Sequence, residues 1–177
     1  MTLPEIRSTL ARTPKALSAL LADQNEAWVK ANEGPETFSP FDVVGHLLAG
    51  EHTDWLPRIE RILKDGEAKA FDPFDRFEMY ETTKGKTMDD LLEGFAAARE
   101  ENLKKLDALQ LKPEQLELRG MHPSLGSVTM GQLLSTWVLH DISHITQITR
   151  TMSRQLGPAV GPWTEFFSLF KKPEPQP

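Results

Sequence analysis

The sequence predicts an all-α protein built as a four-helix bundle. Four long stretches carry apolar residues at three- and four-residue spacing, which gives each stretch one apolar face. Three of them start at Ser39, Thr87 and Thr129, each with an acid or amide three residues later, which is typical of a capped helix start. We find no convincing strand and no internal repeat. Four such helices in 177 residues predict one bundle.

The first helical stretch runs from Leu3 to Lys30 and is interrupted. Thr13 followed by Pro14 is typical of an N-cap with proline at the first helical position. The stretch is therefore either a short helix before the main one or a single kinked helix. Residues 32–37, which include a Gly-Pro pair, are expected to form a loop.

The second helix is expected from Ser39 to about Lys64, with Gly66 as its stop signal. Pro57 lies inside it and predicts a kink or a split. The following residues, 67–86, have little periodicity and form a long connection to the third helix. They contain too many aromatic residues for a free linker: Phe71, Phe74, Phe77 and Tyr80. We therefore expect an ordered crossover with some function.

The second half of the chain contains two further helices and a tail. The third helix is expected from Thr87 to about Leu109, and residues 112–127 form a polar connection. The fourth helix opens with a capping box at Thr129 and ends near Gln155. Residues 163–170 form a short apolar segment that we expect to be helical and docked on the bundle. The proline-rich residues 171–177 are expected to be a disordered tail.

Composition excludes several classes of function. A net charge of −6 disfavours nucleic-acid binding, which needs a basic surface. Because the chain has no cysteine, disulfides, cysteine-ligated zinc and a protein thiol nucleophile are excluded, so metal ligands must be His, Asp, Glu or water. We find no signal peptide and no apolar segment of the ~20 residues that span a membrane. We expect a cytoplasmic protein with one domain over residues 1–170.

His140 and His144 are the pair around which we interpret the chain. They stand four positions apart in the fourth predicted helix, so their rings lie one above the other on one face. This spacing suits two ligands of a single metal ion. On a helical wheel of ~100° per residue, both lie at the edge of the apolar stripe, where water and a substrate can reach them. The spacing also fits hydrogen-bonded core histidines, and by itself it leaves both interpretations open.

Asp141 lies in the middle of the same apolar stripe, ~100° around the helix from His140. A carboxylate in that position must be paired or hydrogen-bonded. It is either a cap or an ion-pair partner of an arginine, or an acceptor that orients a ligand imidazole from another helix. The pattern differs from the His-Glu-x-x-His of zinc proteases by a shorter acid, and no histidine follows His144. A third ligand must therefore come from upstream.

Three upstream histidines are candidates for the third ligand. His46 lies early in the second helix, at the margin of its apolar face. His52 lies ~120° around the helix from His46, so the two cannot face one ion, and we expect His52 to pack against the bundle or an interface. His122 precedes Pro123 in a loop, where a role in a turn is expected. His46 has the better position of the three.

Three segments resemble the DinB-like (YfiT-like) superfamily, and they are Val44–Leu48, Gly126–Leu134 and Trp137–Ile148. The resemblance spans most of the chain and is most specific in the last segment. Members are up-down-down-up four-helix bundles, often homodimers, and many bind a divalent metal, commonly nickel or zinc, on three histidines. One of these comes from the second helix and two from an H-x-x-x-H pair on the last. The resemblance therefore implies His46, His140 and His144 as metal ligands.

The resemblance also implies a class of activity. Characterised enzymes of the superfamily include transferases and isomerases that use bacillithiol or mycothiol. It suggests a metal-dependent enzyme acting on a small molecule, either a thiol-dependent S-transferase or a hydrolase, in which the metal activates a low-molecular-weight thiol or water. Glu51, Asp54 and Gln147 are candidates for nearby acid–base or orienting roles. Gln147 is the best placed, about one turn beyond His144, and Asp141 is the other candidate for support.

A second hypothesis is a non-catalytic bundle in which metal binding or dimerisation is structural or sensing. The aromatic connection between Phe71 and Tyr80 and the segment 163–170 would then be partner surfaces. The two hypotheses differ in the coordination expected. A metal site that opens into a cleft supports an enzyme, whereas a closed site supports the structural role.

Overall fold

The computed structural model describes residues 1–170, which form a mostly helical four-helix bundle, as the apolar periodicity predicts. The described α-helices are α1 (Leu3–Leu10), α2 (Thr13–Leu21), α3 (Glu26–Lys30), α4 (Pro40–Thr53), α5 (Trp55–Asp65), α6 (Met79–Thr82), α7 (Met88–Ala108), α8 (Met130–Gln155) and α9 (Gly157–Val160). Three 3-10 helices span Pro113–Glu117, Gly161–Phe166 and Ser168–Phe170. None of the described helices is long and apolar enough to cross a membrane. The expected disordered tail, 171–177, lies outside the described residues.

The starts of the long helices follow their capping residues. Ser39, Thr87 and Thr129 each accept a hydrogen bond from the backbone N–H three residues later, and that later side chain bonds back to the cap. These reciprocal bonds satisfy N–H groups that have no partner inside the helix. The predicted starts of α4, α7 and α8 are confirmed.

The first helical stretch is broken into three short helices. Thr13 is not the cap of α2, as the sequence suggests, because Arg12 holds that position and makes no side-chain capping bond. The Thr13 side chain is buried and donates a hydrogen bond to Asp141 instead, at 2.6 Å. A buried carboxylate needs hydrogen-bond donors. The need of Asp141 on α8 therefore outweighs the preference of Thr13 to cap its own helix.

The predicted second helix is split into α4 and α5 at Asp54. Pro57 lies three residues beyond this point and has no N–H to donate to the carbonyl of Thr53. The split confirms the expected effect of Pro57. A new helix, α5, begins at Trp55, and its first turn carries Trp55 and Arg58.

A short β-hairpin corrects the expectation that the chain has no strand. Strand β1 (Arg119–His122) pairs antiparallel with β2 (Gly126–Thr129) inside the connection that the sequence predicts as a polar loop. Three residues join the strands, and Gly126 has a φ of 75°, which is the conformation such a hairpin loop requires. Strands of only four residues carry too little alternation to be recognised from sequence.

The aromatic connection between α5 and α7 is ordered, as expected. Phe71 is buried, and its N–H donates to the carbonyl of Met121 in β1 at 2.9 Å. Because Gly45 has no Cβ, the end of the short helix α6 can pack closely on α4; a Cβ there would clash with Thr83 at 2.7 Å. The connection is therefore fixed against the bundle at both the hairpin and α4.

The C-terminal segment differs from the expected docked helix. Residues 161–170 form 3-10 turns, and Trp163 and Phe166 are 67% and 76% exposed. Pro158 and Pro162, each preceded by glycine, prevent α8 from continuing as a regular helix.

Two apolar clusters fill the bundle. One joins α2, α4 and α7 through residues such as Leu17, Val44 and Phe95, and the other joins α1, α5 and α8 through Ile59 and Trp137. The Arg99 guanidinium lies between them, 4.9 Å from the Phe95 ring and 5.2 Å from the Trp137 ring.

Candidate metal centre

Three histidine rings from two helices meet at one point. The Nε2 atom of His46 on α4 lies 3.1 Å from Nε2 of His140 on α8, which in turn lies 3.2 Å from Nε2 of His144. One ligand atom from each ring lies within 4.8 Å of the others. The structure thus brings together all three residues that the sequence suggests as ligands, although His46 is 94 positions away from His140.

The protonation of the rings favours three free lone pairs at this point. The Nδ1 atom of His144 lies 3.0 Å from Oε1 of Gln147, an oxygen that can only accept, so Nδ1 carries the proton and Nε2 is left unprotonated. The Nδ1 atoms of His46 and His140 are buried without a hydrogen-bond partner among the described residues. A proton on each of these Nδ1 atoms leaves every Nε2 as an electron-pair donor.

The surroundings keep the rings neutral near pH 7. Burial, with a smaller effect of the neighbouring His144, lowers the pKa of His46 to about 4. Burial followed by the charges of His144 and His46 lowers the pKa of His140 to about 3. The pKa of His144 is also lowered by burial, against the opposing effects of Gln147 and Asp141. Neutral imidazole is the form that binds metal ions.

These residues fit a divalent metal. Nitrogen ligands at ~2.0–2.1 Å in a tetrahedral arrangement stand roughly 3.3 Å apart, close to the observed separations of 3.1 and 3.2 Å. Three converging lone pairs repel one another unless a cation or shared protons lie between them. Three imidazoles suit zinc, nickel, copper or iron, and the set leaves a coordination position for another ligand.

A cavity opens beside the histidines. Its walls include His46 and His140, together with Trp55 and Phe74. Trp55 lies edge-on to His140 at 5.2 Å, and Phe74 lies edge-on to His46 at 5.3 Å. The rings are therefore held by packing, and a small molecule in the cavity would lie next to the point where the nitrogens converge.

Gln147 is predicted to support metal binding by orienting His144. A Gln147→Met variant is expected to bind metal about 10- to 100-fold more weakly, because the ring loses the acceptor that fixes its tautomer. Competition with a chelating dye measures the affinity, and exposed Gln24→Met serves as the control. Equal affinity in the two variants would show that packing alone orients His144.

Asp141, the other residue suggested to orient a ligand histidine, forms its hydrogen bonds with other residues. Its carboxylate accepts from Arg99 at 2.6 and 3.0 Å and from the Thr13 hydroxyl at 2.6 Å. Among the described residues it makes no hydrogen bond to a histidine ring. The geometry matches the alternative in which Asp141 is the ion-pair partner of an arginine.

Glu51 belongs to the same buried network and lies away from the cavity. It accepts from Arg99 at 2.8 Å, from Trp137 at 3.0 Å and from Asn102 at 3.0 Å. One buried guanidinium therefore joins carboxylates from α4 and α8. Glu51 ties helices together, and its suggested acid–base role is not supported by this position.

The remaining candidates have distinct surroundings. Asp54 lines the cavity, pairs with Arg58 at 2.6 Å, and has its pKa raised by burial. His52 is exposed, so it does not pack against the bundle, and the alternative of packing at an interface stays a prediction. The Nδ1 atom of His122 accepts from the backbone N–H groups of Ser124 and Leu125, which confirms a role in a turn.

Sequence reasoning does not single out Arg99 or Arg58. For Arg99 a signal exists, since it stands four positions from both Phe95 and Leu103 on the buried stripe of α7. An arginine in such a stripe predicts a buried acidic partner, as Asp141 does on α8. Arg58 gives no comparable signal, because its place in the cavity depends on the break at Asp54.

The fold and the histidine cluster together define a class, namely a helical bundle with three convergent imidazoles beside a cavity. A family model described as the DinB superfamily matches residues 9–148, and the chain belongs to that superfamily. A comparison with curated proteins gives no match.

Two solved structures are similar in fold. YfiT from Bacillus subtilis, described as a probable metal-dependent hydrolase with an unusual four-helix bundle topology, has a TM-score of 0.75 at 20% identity. That match covers 89% of this chain and 90% of YfiT. The four-helix bundle protein TT2238 has a TM-score of 0.54 at 19% identity, over 84% of this chain and 98% of its own. The expected four-helix bundle is confirmed by both.

Proposed function

We propose that this chain binds a divalent metal, with zinc or nickel as the favoured ions, through Nε2 of His46, His140 and His144. We further propose that it is a metal-dependent enzyme acting on a small molecule, most directly as a hydrolase. The observation that carries the proposal is the convergence of the Nε2 atoms of three histidines, two of which line the wall of a cavity. The description of YfiT as a probable metal-dependent hydrolase supports the same class of reaction.

Different residues of this chain have separate roles in the proposed reaction. The three imidazoles hold the ion, which when bound supplies Lewis-acid chemistry and lowers the pKa of a coordinated water or thiol. Gln147 holds the Nδ1 proton of His144, which directs its Nε2 to the ion. Trp55 and Phe74 pack edge-on against the rings of His140 and His46 and hold their orientation. Asp54 lines the cavity, pairs with Arg58 at 2.6 Å and has its pKa raised by burial, so its suggested acid–base role stays a prediction.

Transfer to a low-molecular-weight thiol is the second form of the proposal. Because the chain has no cysteine, the sulfur nucleophile would have to enter the cavity as a co-substrate. We also propose a cytoplasmic homodimer that does not bind nucleic acid. The net charge of −6 supports the last point, and exposed apolar side chains such as Trp163 and Phe166 are candidates for the dimer contact.

Metal content tests the proposal directly. Untagged protein is expected to retain about one equivalent of metal by elemental analysis after dialysis, whereas His46→Ala, His140→Ala and His144→Ala are each expected to lose most of it. His52→Ala is the matched control, because His52 is exposed on the same helix as His46. Equal metal in wild type and the His140→Ala variant would refute the site.

Activity separates the two reactions and the structural alternative. Metal-loaded protein is assayed with ester and amide substrates, with and without an added thiol and an electrophile. Hydrolysis without thiol supports the hydrolase, and consumption of both thiol and electrophile supports transfer. Metal retention without turnover of any substrate would favour the non-catalytic bundle.

A further inference from the structure

The cavity beside the histidines has a polar end that the proposed metal chemistry does not use. Its volume is about 320 Å³, within the range of small-molecule sites. His46 and His140 form one part of the wall, while Arg58 and His122 form another. The cavity therefore offers a metal-binding point and a second set of polar groups to one ligand.

Different aromatic side chains contact the two polar parts of the wall. Trp55 and Phe74 contact the histidine rings. Phe71 instead contacts the other pair, with the Arg58 guanidinium 5.4 Å above its ring and the His122 ring edge-on at 6.2 Å. The wall also contains apolar residues, Leu125, Val128 and Leu133, so a ligand that contacts both polar parts would need an apolar middle.

Arg58 has hydrogen-bond donors to spare. Its side chain is 12% exposed, and Asp54, at 2.6 Å from one terminal nitrogen, is its acidic partner among the described residues. A guanidinium has five N–H donors in a planar fork, so most of them are free to face a ligand. Buried arginines with free donors favour carboxylates and phosphates.

His122 adds a second donor at the same end. Its Nδ1 accepts two backbone hydrogen bonds in the hairpin turn, at 3.1 and 3.2 Å. An accepting Nδ1 requires the proton on Nε2, so the free edge of the ring is a donor. Both side chains contact the Phe71 ring, so the two groups lie close together. Burial, followed by the Arg58 charge, lowers the pKa of His122.

The other polar groups of the cavity are neutral or already paired. The Gln132 side-chain oxygen accepts from the N–H of Thr129 in the capping box of α8, and the Thr136 hydroxyl donates to the carbonyl of Gln132. Among the described lining residues, Arg58 is the one that carries a full positive charge, and His122 adds a donor beside it. Because Asp54 already offsets part of the arginine charge, the selectivity for an anion should be moderate.

We propose that Arg58 and His122 form a binding site for the anionic group, a carboxylate, of a substrate whose other end reaches the metal. The inference rests on the proposed function for the metal end only. It assigns the substrate class as a small organic acid with an apolar middle. Arg58 and His122 are specificity-determining residues in this assignment, since they contact the end of the substrate remote from the reaction.

Cobalt-substituted protein gives a direct test. Mercaptohexanoic acid and its primary amide are titrated, and the sulfur-to-cobalt absorption reports binding at the metal. The acid is expected to bind roughly tenfold more tightly than the amide, as a single charge-assisted hydrogen bond provides. The preference is expected to vanish in the paired variant Asp54→Asn/Arg58→Met, which leaves no unpaired carboxylate, and to shrink in His122→Phe.

Arg61→Met is the matched control for Arg58. Arg61 lies on the same helix but bonds to Asp72 and to the carbonyl of Ala70, outside the cavity. This variant should keep the tenfold preference. Equal binding of acid and amide by wild type, with cobalt bound, overturns the anion site and leaves the proposed metal function standing.

A second experiment tests the anion site in the case that the protein binds no metal. If cobalt does not bind, the proposed function fails, and phenylpropionate and its amide are compared by calorimetry in metal-free protein. A preference for the acid that is lost in Asp54→Asn/Arg58→Met supports the anion site. No preference overturns it.

Discussion

Replacing Arg99 by methionine is expected to cost about 3–5 kcal/mol of unfolding free energy. Arg99 is 1% exposed and lies between the carboxylates of Glu51 and Asp141. Removing the guanidinium leaves two buried negative charges with no cation among the described residues to offset them. Urea unfolding of purified protein measures the loss.

Two comparisons separate charge from packing in this experiment. Arg7→Met, which breaks an ion pair that is about half exposed, should cost less than about 1 kcal/mol. Adding Glu51→Gln and Asp141→Asn to the Arg99 variant should recover part of the loss, because no charge then remains in this network. A loss in Arg99→Met no larger than in Arg7→Met would show that this ion pair does not hold the bundle together.

Metal-free protein is expected to lose a few kcal/mol of stability as the pH falls from about 6.5 towards 4. The pKa of His46 is lowered to about 4 and that of His140 to about 3 in the folded chain. In the unfolded chain both have ordinary values near 6.5. Between these values the unfolded state binds more protons, so acid favours unfolding. Above about pH 6.5 both states are neutral at these residues, and their contribution is constant.

A variant without the two titrating rings isolates this effect. The double variant His46→Gln/His140→Gln should show a flatter dependence of unfolding free energy on pH, measured by urea unfolding in the presence of a chelator. His52→Gln removes an exposed histidine and should keep the wild-type slope. Parallel slopes in the double variant and wild type would mean that carboxylates, rather than the histidine cluster, produce the acid sensitivity.

The sequence predicts features that depend on neighbours along the chain. The starts of α4, α7 and α8 follow from a side chain and a backbone N–H three residues apart. The His140 and His144 rings share a face because a helix brings every fourth residue into line. The contact of Gln147 with His144 has the same origin. Such features are local, so periodicity and residue type are sufficient to predict them.

Other features depend on residues far apart in the chain, and only the tertiary structure decides them. The Thr13 hydroxyl donates to Asp141 rather than capping its own helix, and Asp141 pairs with Arg99 rather than accepting from a histidine. The hairpin and the break at Asp54 bring His122 and Arg58 to one cavity. Pro57 predicts that the helix kinks or splits, but neither it nor the short strands indicate which residues then meet. The choice of partner there is set by burial, since a polar group in the core must bond to whichever donor or acceptor packing brings within reach.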